Sequence, residues 1–351
     1  MFENAGQRTE LSSVGEFGLI EIIAQSVRIH HPSTIKGIGD DAAVIANEEE
    51  VTLVTTDMLI EGIHFDLAYT PLKHLGYKAV TSNLSDLYAM NAKPRQIVIS
   101  IAVSNRFSLE AVEELYAGIN LACHIYKVDL AGGDTTSSVS GLVISVTAIG
   151  TAQSSEVVYR NTASVNDLIC VSGDLGAAFL GLQLLNREKK IFEENPSIQP
   201  DLSGYDYLLE RQLKPEARKD IIEQLRTAGI KPTSMIDISD GLASELFHIC
   251  KQSKTGCRIF ENRIPVDVKA AEFAEELNLH PVTCALNGGE DYELLFTVAP
   301  GDYDKIKTLK EVSVIGHITP EEEGLIMEDP SGHVIQLKAQ GWDALLKNKN
   351  K

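Results

Sequence analysis

A mixed α/β fold in two domains is what this sequence predicts, and three observations predict it. The 351 residues exceed one ordinary domain at roughly 150 residues each. Runs of β-branched residues alternate with segments of helical period. Carboxylates repeatedly stand beside Gly, Ser or Thr at the ends of apolar runs, where α/β proteins assemble their sites. A 44% hydrophobic share is enough to build a core in each domain.

In chain order, Val51–Thr55, Ile97–Val103, Val128–Ala131 and Leu142–Ile149 read as strands. Between them, Leu72–Met90 repeats apolar residues at Leu75, Ala79, Leu84, Leu87 and Met90. Ser108–Tyr126 opens on a Ser N-cap and continues with Leu109, Val112, Leu115, Ile119 and Ala122, so both segments read as helices. Around Thr151–Asn166 the chain turns polar, which sets the expected boundary between residues 1–152 and 153–351. Beyond it a strand at Leu168–Val171 leads into a helix at Leu175–Leu185. The charged, proline-bearing stretch Arg187–Gly204 reads as an exposed excursion. Helices are expected at Pro215–Ala228 and Gly241–Ser253, and strands at Met235–Ile238, Tyr292–Val298 and Val312–Ile315. The first domain is expected to be a small sheet with helices on one side, the second a sheet flanked by helices.

Fifty acidic against 31 basic residues give a formal charge of −19, a field that repels nucleic acid and anionic membranes. No apolar run approaches the roughly 18 to 20 residues of a membrane span, and the N-terminus carries no export signal, so the expected location is cytoplasmic. Five scattered cysteines fit reduced core thiols. An acidic chain that binds phosphorylated ligands needs the like charges screened, and divalent metal is the natural mediator.

The aspartates recur in five settings: Gly39-Asp40-Asp41, Thr55-Thr56-Asp57, Gly132-Gly133-Asp134-Thr135, Asp237-Ile238-Ser239-Asp240-Gly241 and Gly288-Gly289-Glu290-Asp291. Each alone is also ordinary turn or N-cap chemistry. Asp86 is a sixth piece, sharing a helix face with Asn83 and Met90 amid Leu84 and Leu87. A carboxylate there needs a partner, either a metal ion or a lysine such as Lys78, unless it is exposed. Hard oxygen donors favour Mg²⁺ over zinc or copper. His64 stands close after the Asp57 segment. The Ser172-Gly173-Asp174-Leu175-Gly176 turn offers either a phosphate cradle at a helix N-terminus or only close packing. A Walker loop, a G-x-S-x-G elbow and an H-E-x-x-H pair are all missing.

These segments, in order, resemble the thiamine-monophosphate kinase family. The resemblance is carried by Gly15–Ile20 (GEFGLI), Gly37–Ala43 (GIGDDAA), Thr55–Asp57 with Gly62–Phe65, Tyr77–Ala79 with Asn83–Leu87, Gly132–Thr136, Asp237–Leu242 and Gly288–Leu294. It places the chain in the aminoimidazole-ribonucleotide-synthetase superfamily of ATP-using enzymes. It implies that Asp41, Thr55, Thr56, Asp57, Asp86, Asp134 and Asp237 ligate several Mg²⁺ ions, with Asp240 holding a further one. It implies that Gly133, Asp134, Arg160 and Ser239 contact ATP, and that His64, Glu290 and Trp342 contact thiamine monophosphate. A terminal helix anchor is the alternative role for Trp342. The resemblance also implies a homodimer formed through the N-terminal domains.

The expected activity is ATP-dependent phosphorylation of thiamine monophosphate to thiamine diphosphate by direct in-line transfer. Such a step needs alignment and charge neutralisation and no general base, because the acceptor phosphate is already ionised. Aminoimidazole ribonucleotide synthetase itself is the alternative enzyme, and a non-catalytic acidic metal-binding module the alternative of another class.

Overall fold

The computed structural model describes residues 15–26, 31–47 and 49–338. A first helix, α1 (Gly15–Ser26), precedes two short strands, β1 (Thr34–Lys36) and β2 (Ala43–Asn47). The segment then runs β3 (Glu50–Ile60), α2 (Leu72–Ala89), β4 (Lys93–Val103), α3 (Leu109–Tyr126), β5 (Asp129–Ser137) and β6 (Leu142–Ala152). These strands form one six-stranded sheet in the order β1-β2-β3-β6-β4-β5, antiparallel except for the β4–β5 pair. Ser108 caps α3 as its sequence predicts, its hydroxyl accepting a hydrogen bond from the Ala111 N–H at 3.3 Å.

The second half runs β7 (Leu168–Ser172), α4 (Ala177–Glu194), α5 (Asp206–Leu213), α6 (Lys219–Thr227), β8 (Ser234–Ile238), α7 (Leu242–Ser253) and β9 (Gly256–Phe260). It continues with α8 (Val268–Glu276), α9 (Pro281–Asn287), β10 (Glu293–Val298), α10 (Tyr303–Ile306), β11 (Val312–Thr319), β12 (Leu325–Glu328) and β13 (Val334–Gln336). A seven-stranded sheet results, ordered β13-β12-β9-β11-β7-β10-β8.

Two expectations change here. The stretch 187–204 is not wholly an excursion, because α4 continues to Glu194. One of its charged residues, Glu188, is buried and accepts a hydrogen bond from the Asp201 N–H at 3.0 Å. The expected helix over Pro215–Ala228 begins only at Lys219, and α5 is a helix where the sequence pattern predicts none.

Helix α2 is the centre of the molecule. The six-stranded sheet turns one face to it, seen in the alternation along β3: Val51, Leu53 and Thr55 are buried while Thr56 and Met58 are exposed. The seven-stranded sheet approaches α2 from the other side. Cys170, Met235, Leu294 and Phe296 join the same apolar cluster as Leu75, Leu84, Leu87 and Met90. Their strand neighbours Ile169, Val171, Ile236 and Leu295 pack instead on α7. Helices α2 and α3 touch through glycines; a Cβ on Gly76 would lie 2.0 Å from the Leu115 carbonyl oxygen, and one on Gly118 1.8 Å from that of Lys73.

Candidate active site

Around α2 the structure brings together carboxylates from four separate segments. Asp41 comes from the turn before β2, Asp57 from β3, Asp86 from α2 and Asp237 from β8. Asp41, Asp86 and Asp237 each offer an oxygen within 4.8 Å of the others. Period-two alternation aims two of them: Asp57 shares the α2-facing side of β3 with Thr55, and Asp237 shares the α2-facing side of β8 with Met235. Three hydrogen bonds support them, two of them short. The Thr55 hydroxyl donates to Asp86 at 2.6 Å, the Ser85 hydroxyl donates to Asp237 at 2.6 Å, and the Asp57 N–H donates to the Asn83 side-chain oxygen at 3.1 Å.

Crowding like charges in a buried site resists ionisation. Burial, with the Asp237 charge added, pushes Asp57 up to about 6. Burial pushes Asp41 to about 8 although Arg160 opposes it, with Asp237 and Asp40 adding to the rise. Asp86 is held well above the usual carboxylate range by burial and then by Asp57, Asp237 and Asp41. Asp237 is raised by burial, with the Ser85 hydrogen bond pulling the other way. One oxygen of Asp41, Oδ2, is buried with no hydrogen-bond partner. A set of hard oxygens that repel one another, one of them unpartnered, fits a divalent cation such as Mg²⁺.

Lys78 does not neutralise Asp86. Its ammonium lies 2.9 Å from Glu290 Oε1 and donates to the Gln212 carbonyl at 3.0 Å, while the Gln212 amide donates to Glu290 Oε2 at 2.8 Å. Glu290 adopts φ 67°, and its N–H donates to the Ser239 carbonyl at 2.7 Å. The loops 239–241 and 288–290 are therefore packed against each other; a Cβ on Gly289 would lie 2.4 Å from Ser239 O. Asp240 sits in the first of these loops, its N–H donating to buried Glu245 at 3.0 Å. Arg160 hydrogen-bonds Asp41 and lies 3.4 Å from Asp40. His64 Nδ1 accepts from the Ile60 N–H at 3.0 Å, in a loop tied to α4 by the Lys189–Asp66 ion pair at 2.5 Å.

Other expected residues lie elsewhere. The Thr56 side chain points to the opposite, open face of β3 and bonds to the Val146 carbonyl and Thr147. The registers place Met58, Ser145, Ser100 and Asp134 in one row across the sheet, so Asp134 is on that same open face. It is exposed on β5, about 14 Å from β3 at three strand spacings. Neither Asp57 nor Asp134 stands at a strand end, because β3 runs on to Ile60 and β5 to Ser137. Gly133 is required by close approach, a Cβ there falling 1.8 Å from Ile99 O. Trp342 lies outside the described residues.

The turn 172–176 is not a free phosphate cradle. Asp291 occupies the start of α4, accepting from the N–H groups of Gly176 at 2.7 Å and Ala178 at 3.3 Å. Residues that sequence reasoning left without a role include Ser85, Glu245 and Gln212. Ser85 lies one position from Asp86 in the Asn83–Leu87 segment; Glu245 and Gln212 carry no local signal.

The family model for AIR synthase related protein, N-terminal domain, matches residues 39–152. The thiamine-monophosphate kinase of Bacillus subtilis (strain 168) is 34% identical over 338 residues, covering 95% of this chain and 98% of that protein. The solved structure of AaThiL complexed with AMPPCP and TMP superposes with a TM-score of 0.83 at 30% identity, covering 96% of this chain and 99% of the other. The crystal structure of thiamine-monophosphate kinase from Stenotrophomonas maltophilia K279a gives a TM-score of 0.71 at 31% identity, over 88% and 94%.

Proposed function

The chain belongs to the thiamine-monophosphate kinase family, and from that premise we propose how it works. It phosphorylates thiamine monophosphate to thiamine diphosphate at the expense of ATP. The γ-phosphoryl bond to ADP breaks as an oxygen of the acceptor phosphate bonds to the same phosphorus in line, and ADP departs with the electron pair. The acceptor oxygen is already ionised near neutral pH, so no side chain has to remove a proton.

The observation that carries this reading is the convergence of Asp41, Asp86 and Asp237 from three segments within 4.8 Å. With Asp57 and Thr55 beside them they are the proposed holders of Mg²⁺, which when bound supplies neutralisation of the phosphates that must approach each other. Asp240, in the 239–241 loop, is proposed to hold a further ion. Arg160, paired with Asp40 and Asp41, and Ser239 are proposed to face ATP. Thr56 and Asp134, on the open sheet face, are proposed to hold metal at a separate position, with Asp134 and the neighbouring Gly133 facing ATP. His64, Glu290 and Trp342 are proposed to contact thiamine monophosphate.

The open face of the six-stranded sheet, with Met58 53% exposed, supports a homodimer built through residues 1–152. Among the described residues no helix is long and apolar enough to cross a membrane. The test is direct: purified protein with ATP and Mg²⁺ is expected to convert thiamine monophosphate to the diphosphate, and Asp57→Asn to abolish the conversion with the fold intact. Untouched thiamine monophosphate overturns the assignment.

A further inference from the structure

We infer that Lys78 is a positioning residue for the acceptor substrate: by clamping Glu290 together with Gln212, it aims that carboxylate and so sets the affinity for thiamine monophosphate without touching it. The inference rests on the reading of Glu290 as a substrate contact.

Lys78 is an unusual choice for its place. It is 4% exposed in a helix whose neighbours Leu75, Ala79, Val80 and Leu84 are wholly buried, where an ammonium pays a desolvation cost that an apolar residue avoids. What it obtains is Glu290, at 2.9 Å, with the Gln212 carbonyl at 3.0 Å as its second acceptor. The Gln212 amide reaches the other carboxylate oxygen at 2.8 Å. Two donors from two elements, α2 and α5, therefore fix both oxygens of one side chain, a geometry that specifies orientation as well as charge.

The backbone of Glu290 is equally constrained. A non-glycine residue at φ 67° persists only where its surroundings over-determine it, and the Ser239 carbonyl pins its N–H at 2.7 Å. Glu290 nevertheless keeps 29% of its side chain exposed, so the clamp presents the carboxylate instead of hiding it. A fixed, partly exposed carboxylate suits a cationic ring such as the thiazolium of thiamine. The same helix carries Asp86 two turns onward, so α2 aligns the acceptor end of the substrate and the carboxylate cluster as one rigid piece.

Steady-state kinetics on the full-length enzyme test the idea. Lys78→Met is expected to raise KM for thiamine monophosphate by about tenfold, with kcat and KM for ATP within about twofold of the parent. Lys78→Arg is expected to restore most of the loss, since it keeps a cation at Glu290. Because Lys78 acts through Glu290, Lys78→Met combined with Glu290→Gln is expected to be no worse than Glu290→Gln alone. Additive losses in the double variant overturn the inference, as does a Lys78→Met enzyme with unchanged KM for thiamine monophosphate while Glu290→Gln raises it. If Glu290→Gln itself leaves that KM unchanged, the reading of Glu290 falls and the inference falls with it. Gln212→Leu removes the second donor without leaving a charge unpaired inside α2. It is expected to raise the same KM by about threefold, and no change overturns the clamp even where Lys78→Met does not fold.

Discussion

The Ser85 hydroxyl donates a 2.6 Å hydrogen bond to Asp237, and that contact joins helix α2 to strand β8 of the other sheet. Both residues are buried, so the bond is not exchanged for water when it is lost. Ser85→Ala is expected to cost about 2 kcal/mol of stability, as one hydrogen bond to a charged group, and to raise the Mg²⁺ concentration needed for half-maximal rate. Urea denaturation and a Mg²⁺ titration of the rate read the two effects. A variant as stable as the parent, with the same Mg²⁺ requirement, removes Ser85 from the site.

Asp86→Asn should move activity and stability in opposite directions. Its carboxylate is disfavoured by burial and by three neighbouring aspartates. Neutralising it relieves that repulsion, while the charge proposed to gather cations is lost. Turnover is expected to fall by at least about 100-fold. In the presence of a chelator at pH 7.5 the melting temperature should rise. A lower melting temperature under those conditions would mean that the repulsion is not stored in the fold.

For the chelated protein, the pH dependence has a definite sign. Asp57 is raised to about 6 and Asp41 to about 8, above the ordinary carboxylate value near 3.9. The folded state therefore binds protons more tightly than the unfolded one. The stability these groups contribute is fully present below the unfolded value and is lost as pH rises through the folded one. At about 1.4 kcal/mol per pKa unit, Asp57 alone accounts for on the order of 2 to 3 kcal/mol between pH 4 and 7. The advantage of Asp57→Asn over the parent in melting temperature should accordingly widen from pH 5 to pH 8 and shrink when Mg²⁺ is added. An advantage that narrows with pH contradicts the assignment.

Gly118→Ala tests the helix pair that carries the cluster. The added methyl would meet the Lys73 carbonyl at 1.8 Å, backbone that cannot swing aside. Separating α3 from α2 is expected to cost about 3 kcal/mol, read by thermal denaturation. The rate should fall too, because α2 bears Asp86. Full activity with unchanged stability would show that the two helices need not approach so closely.

Much of this fold is written in local pattern. Leu75, Ala79, Leu84, Leu87 and Met90 lie buried along α2 as their spacing requires, and Leu142–Ile149 falls inside β6. All five cysteines are buried and free, as their scatter suggested. The pattern was weakest where long-range partners decide the outcome. Helix α4 extends through a charged stretch because Glu188 finds Asp201, and β3 continues past Asp57 because β6 pairs with it residue by residue. The acidic segments were visible as segments, but the face each side chain takes was not. Thr55 and Thr56 are neighbours that point to opposite sides of one sheet. Glu245 and Gln212 acquire their roles only from tertiary contacts, the one beneath the Asp240 peptide and the other against Glu290.

The apolar cluster that passes from Val51 and Leu53 through Leu84 to Met235 and Phe296 belongs to both sheets at once. Recombining halves of two relatives near residue 152 would exchange the partners of that cluster on one side only, and would draw the two ends of the Ser85–Asp237 hydrogen bond from different parents. Chimaeras cut at that point should inherit mismatched interiors, so the gene is expected to tolerate shuffling poorly even though its two sheets look like separable modules.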